Sequence, residues 1–132
     1  MINNKRAYGK LGEQYAVGYL KNAGYEIIGC NIYIGHAEID IVARNNEYLI
    51  FAEVKTRTEL PDDTDKFGRP AAAVNRDKKS HLIFAATEYT RLNPHIKGER
   101  KLNIDVIEIY ADPAKKDFSV IRLNHIKNAV KR

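Results

Sequence analysis

A single cysteine, Cys30, excludes an internal disulfide framework and a cysteine-based zinc cluster. It falls in an apolar, strand-like stretch, so a buried structural thiol is expected, and its isolation fits a reducing cytoplasm. No apolar run approaches the length of a signal-peptide core or a membrane helix, and Asn3, Asn4, Lys5 and Arg6 make the start polar. A cytoplasmic protein with no membrane partner is expected. The four histidines, His36, His81, His95 and His125, do not cluster at ligand spacing and are expected to be surface or packing residues. Tryptophan is absent, and neither repeats nor low-complexity tracts occur. What remains is ordinary globular composition: 132 residues, 44% of them hydrophobic, enough for one domain over 1–132 with a sizeable core.

Acidic side chains appear where a sheet should bury hydrocarbon. Residues 38–43 and 48–55 are β-branched and apolar runs joined by Arg44-Asn45-Asn46-Glu47, which reads as an antiparallel hairpin turning at Asn45-Asn46. In that register Glu38 faces Glu53 and Asp40 faces Phe51, and Glu38, Asp40, Glu53 and Lys55 share one side. Opposed carboxylates repel unless something neutralises them. Mg²⁺ or Mn²⁺, which choose carboxylate oxygens and complete their shell with water and substrate phosphate, is the cofactor this pattern suggests. Asp40 and Glu53 are the expected metal ligands, and Lys55 is placed to orient water or stabilise charge on a phosphoryl group. The bland alternative is an exposed strand face carrying charges of mixed sign.

Residues 4–23 read as an amphipathic helix with Tyr8, Leu11, Tyr15, Tyr19 and Leu20 on its apolar face and Gly24 closing it. Gly9 and Gly12 are costly inside a helix and suggest close backbone packing. Glu13 lies among them and either adds a carboxylate to the metal site or faces solvent. Tyr25–Ile34 supplies a first strand, so three antiparallel strands form a meander. Residues 56–70 are polar and aperiodic and are expected to form a mobile loop that closes over nucleic acid, with Arg57 as a phosphate clamp. A helix follows from Pro70 to about Leu92, with Val74, Leu82, Ala85, Ala86 and Tyr89 inward and with Lys78 and Lys79 as phosphate contacts. Residues 102–110 and 118–123 alternate as strands, and Asn124 reads as the N-cap of a short last helix. The net charge of +5 is concentrated in residues 115–132, a basic tail able to track phosphates.

Gly12-Glu13 with Ala16 and Leu20, Gly24-Tyr25, Asn31, Glu38-Ile39-Asp40-Ile41-Val42, Phe51-Ala52-Glu53-Val54-Lys55-x-Arg57, Phe67-Gly68 and Ile104-Asp105-Val106 together resemble the bacterial YraN-like family. That family is similar to the PD-(D/E)xK nuclease superfamily and to archaeal Holliday junction resolvases. The resemblance implies a restriction-endonuclease-like α/β core: three layers around a mixed central sheet, with helix, antiparallel meander, helix and further strands. It also implies a catalytic set of Glu13, Asp40, Glu53 and Lys55, supported by Glu38 and Asp105. Asn103 stands where the pattern carries an arginine, so Arg100 or Lys101 would have to supply that phosphate contact. The implied activity is metal-dependent endonucleolytic hydrolysis of DNA, including branched DNA, with DNA favoured over RNA and a homodimer needed for paired nicks. The alternatives are a nucleic-acid-binding module that keeps the fold without cleaving, and an interaction domain whose charges only fix local structure.

Overall fold

The computed structural model describes residues 5–58 and 76–131. In chain order the elements are α1 (Lys5–Asn22), β1 (Glu26–Ile34), β2 (Ala37–Arg44), β3 (Tyr48–Arg57), α2 (Arg76–Leu92), α3 (Pro94–Lys97), β4 (Lys101–Ala111) and β5 (Val120–Val130). The strands form one sheet in the order β1-β2-β3-β4-β5, antiparallel throughout except for the parallel pair β3–β4. A parallel neighbour requires a crossover, and this one carries α2 across a face of the sheet. The result is the three-layer α/β arrangement with a mixed sheet that the resemblance implied.

Two cores sandwich the sheet. On one face Leu82, Ala85 and Ala86 of α2 pack on Val42, Leu49, Phe51, Leu102, Ile104 and Val106. On the other, Ala16 and Leu20 of α1 pack on Ile41, Ala43, Ile50, Ala52, Ile107 and Ile109. With both faces covered, β3 and β4 are near-continuous apolar runs, as central strands must be. The inward stripe of α1 is Gly12, Ala16 and Leu20 at a spacing of four; Tyr15 is exposed, contrary to the expected tyrosine face. Small residues are selected there because α1 lies almost on β3: a Cβ at Gly12 would run into the Thr56 side chain. Gly12→Ala is therefore expected to destabilise by about 1–3 kcal/mol despite alanine's better helix propensity, because a β-branched neighbour cannot swing clear. Urea denaturation checks this, and adding Thr56→Ala should recover part of the loss.

Several expectations are corrected. The hairpin pairs Val42 with Phe51 and Ala43 with Ile50, two residues from the expected register. Asn45 is a corner of the turn and not one of its two central residues: its side chain accepts the N–H groups of Glu47 and Tyr48, and its own N–H bonds to Tyr48 O. An even slip alone preserves every side chain's face, but β2 breaks its alternation at Asp40, so Ile39 and Ile41 fall in opposite cores and the expected common side of Glu38 and Glu53 is not kept. Strand β3 continues through Arg57 by pairing with β4 up to Tyr110, so Thr56 and Arg57 are strand and not loop. Residues 59–70 of the expected loop, and Val74, lie outside the described residues. Cys30 is exposed. Asn124 starts no helix, because residues 120–130 pair with β4 as β5. The asparagine that matters there is Asn128, whose φ of 53° accompanies a register shift between Ile104 and Val106. Among the described residues, no helix is long and apolar enough to cross a membrane.

Candidate active site

The site forms where strand alternation fails. Ile39 belongs to the α2-side core and Ile41 to the α1-side core, although side chains two apart on a regular strand share a face. The interruption falls on Asp40. Opposite it on β1, between the Cys30↔Ile41 and Ile32↔Ile39 pairs, sits Asn31 with φ 52°, a left-handed conformation that asparagine tolerates better than most residues. The β2–β3 ladder ends at Ile41↔Ala52, and beyond it the Asp40 carboxylate accepts the Val54 N–H at 2.8 Å in place of a backbone carbonyl. Asp40 thus stands at a notch where β2 changes faces.

Three further carboxylates converge on this notch: Glu53 of β3, Glu13 of α1 and Glu38 of β2 itself. Glu53 of β3 lies on the α2 side at 4% exposure, and Asp40 is 7% exposed. With the Asn31 amide turned as its surroundings demand, its nitrogen donates to Glu38 and to Glu13 of α1, at 3.1 Å each. Burial first, then the negative charge of Glu53, with further push from Glu13 and Glu38, raises the Asp40 carboxyl to about 7 even though the Val54 N–H opposes the rise. Glu13 is likewise pushed up, by burial and then by Glu38 and Glu53, against the Asn31 hydrogen bond and Lys10. Four of the five acidic positions expected from the sequence, Glu13, Glu38, Asp40 and Glu53, are therefore brought into one electrostatic cluster.

Two ammonium groups answer it. Lys55 Nζ lies 3.6 Å from Glu53 Oε1, and Lys78 Nζ, from the first turn of α2, lies 2.7 Å from the same oxygen. Burial works against the Lys78 charge, but the hydrogen bond to Glu53 and the fields of Glu53, Asp40 and Glu38 outweigh it and raise its pKa. Lys78, expected as a phosphate contact, thus meets the site itself. Lys79 is half-buried beside it on α2.

Further along the Glu53 side lies a group that sequence reasoning missed. Glu108, fully buried on β4 and paired in register with Lys55, accepts the Tyr110 hydroxyl at 2.8 Å and faces Arg57 Nε at 3.4 Å. The Tyr110 hydroxyl is pushed up to about 12 by burial and by its bond to Glu108. Arg57, still partly exposed, is therefore anchored by one carboxylate and open on its outer side.

Asp105 is placed elsewhere, on the α1 side. Its Oδ2 is 2.8 Å from His125 Nε2, its Oδ1 accepts the Asn128 N–H at 2.9 Å, and His125 Nδ1 meets the Tyr19 hydroxyl at 2.7 Å. This buried relay ties β5 and α1 to the central strand. His125→Ala is expected to cost about 3 kcal/mol by leaving the buried Asp105 Oδ2 without its partner beside a cavity. The midpoint of urea unfolding should fall accordingly, with divalent-ion affinity unchanged. Arg100 is likewise engaged away from the carboxylates: its guanidinium donates to the Asn45, Ile96 and Lys97 carbonyls, and Lys101 pairs with Tyr48 at the opposite end of β3 from Glu53.

Among the described residues, no three His, Cys, Asp or Glu side chains stand in metal-holding geometry. The Asp40–Glu53 pair nonetheless suits a hard divalent ion, which takes one or two carboxylates and fills its shell with water and phosphate oxygens. Residues 12–109 match the model of the uncharacterised protein family UPF0102. The chain belongs to that family. A UPF0102 protein of Alkaliphilus oremlandii is 38% identical over 92% of this chain and 95% of its own length. One from Acetivibrio thermocellus is 38% identical over 96% of this chain and 93% of its own. A third, from Dehalococcoides mccartyi, is 35% identical over 98% of each. The UPF0102 match begins at Gly12, beside Glu13, and spans Asp40, Glu53, Lys55, Lys78 and Glu108.

Proposed function

We propose that this UPF0102 protein is a cytoplasmic metal-dependent endonuclease that hydrolyses DNA phosphodiester bonds, branched DNA included. The observation that supports the reading best is the Asp40–Glu53 pair: two nearly dry carboxylates at a break in the sheet, where burial first and then the charge of Glu53 lift Asp40 to about 7. A fold gains nothing from such repulsion, whereas a divalent cation would relieve it. Asp40 and Glu53 would hold Mg²⁺ or Mn²⁺, and Glu13, tethered through Asn31, would tune the site's charge. When bound, such an ion supplies Lewis acidity and charge neutralisation at the phosphoryl group. Lys55, held by Glu53 and partly exposed, orients the attacking water and offsets negative charge as it develops on the phosphoryl oxygens. Arg57 holds a neighbouring phosphate while Glu108 fixes its direction. Paired incisions across a branch would use two copies of the chain.

A module that binds nucleic acid without cutting is the second reading, favoured by the lysine already seated on Glu53. Incubation with plasmid, single-stranded DNA, four-way junctions and RNA in Mg²⁺, Mn²⁺ or chelator separates the two. Cleavage that needs the ion and disappears in Asp40→Asn and Lys55→Ala supports the nuclease; retention of DNA without cleavage in any ion supports the binding module. Cleavage that persists in both variants rules out this site.

A further inference from the structure

The sheet places Asp40 and Glu53 together, but the partner nearest to Glu53 comes from a different layer. Lys78 reaches down from the first turn of α2 to within 2.7 Å of Glu53 Oε1, closer than Lys55 on the same strand at 3.6 Å. Its field partners include Asp40 and Glu38 as well as Glu53, so this one ammonium faces most of the carboxylate cluster. An ammonium at hydrogen-bond distance from a buried carboxylate satisfies the same oxygen and the same charge that a divalent ion would use. We propose that Lys78 is a built-in counter-ion of Glu53 that a divalent cation must displace, so that loading of the site is coupled to the position of α2.

This inference rests on the metal-binding reading above and adds a competitor to it. Without an ion, Lys78 sits on Glu53 and pins the start of α2 to β3. Entry of the ion frees the lysine side chain, which is 42% exposed and has room to turn outward. The freed ammonium then lies beside the reacting phosphodiester, where a second positive charge suits substrate binding. Metal and lysine are thus alternatives at one oxygen, in contrast to Lys55, which can stay beside Glu53 in both states.

Calorimetric titration of Mn²⁺ into the full chain tests the idea with wild type, Lys78→Gln, Lys78→Arg and Glu53→Gln. An opposite charge this close typically changes a carboxylate's cation affinity by one to three decades, so Lys78→Gln should bind Mn²⁺ about tenfold more tightly. Lys78→Arg should stay near wild type, and Glu53→Gln should abolish binding. Equal or weaker binding by Lys78→Gln, with clear binding by wild type, overturns the competitor and leaves the metal site standing. No binding by wild type or Lys78→Gln overturns the metal reading itself. A measurement on the unaltered chain keeps the test independent of the variants: Mg²⁺ should shift the Lys78 ζ-nitrogen resonance at saturation, and an unmoved signal would overturn the displacement.

Discussion

Lowering the pH from about 8 to about 5 is expected to stabilise the metal-free protein, and Asp40→Asn to remove most of that gain. A carboxyl raised to about 7 in the folded chain, against an ordinary value of 3.8, binds its proton more tightly folded than unfolded. Between those two values the native state therefore carries the extra proton, and stability rises as pH falls through 7 toward 3.8, the reverse of a salt-bridged carboxylate. At about 1.4 kcal/mol per pKa unit the full effect is about 4 kcal/mol, of which the step from pH 8 to pH 5 should recover about 2–3 kcal/mol. Asparagine keeps an oxygen for the Val54 N–H and deletes the charge, so Asp40→Asn should be more stable than wild type at pH 8, with a gap that narrows to about 2 kcal/mol at pH 5 and closes only below the ordinary carboxyl value of 3.8. Urea unfolding at the two pH values decides it. A variant less stable than wild type at pH 8 would show that the ionised carboxylate is structural.

Lys55→Ala is expected to lower Mn²⁺-dependent cleavage by about 10²–10³-fold, the range seen when one preorganised charge donor is removed from a transition state. Stability should hardly move. The Lys55 side chain is partly exposed and its contact with Glu53 is 3.6 Å, a pair worth at most about 1 kcal/mol. Mn²⁺ affinity, set by Asp40 and Glu53, should stay within a fewfold. The combination of a large loss in turnover with unchanged folding and ion binding separates a catalytic lysine from a merely structural one; parallel losses in all three would contradict the assignment. Rates on a junction substrate, calorimetry and urea denaturation on one preparation supply the comparison.

The acidic set was legible in sequence for a simple reason. Glu38, Asp40, Glu53 and Lys55 interrupt strands that otherwise read as buried hydrocarbon, and the pattern of charge in such a place survives a register error of two in the hairpin. Glu108 was missed because Val-Ile-Glu-Ile-Tyr reads as ordinary alternation with a polar outer face, and only the covering of β4 on both sides makes that glutamate buried. Asn31 and Asn128 were opaque as well. Each adopts a left-handed φ inside a strand near a buried aspartate, a property that asparagine permits and no local pattern announces. Asn124 drew attention instead because capping chemistry is common, while the pairing that makes β5 depends on β4 across the sheet. The contact of Lys78 with Glu53 joins residues on different layers and could come only from how α2 crosses the sheet.

The most direct test is diffraction from crystals of the full chain soaked in Mn²⁺, with data at the manganese edge. An anomalous peak within coordination distance of both Asp40 and Glu53, with Lys78 turned away from Glu53, is the expected result. Saturating Mn²⁺ with no peak there, and Lys78 still seated on Glu53, would contradict a divalent-ion site at this break in the sheet.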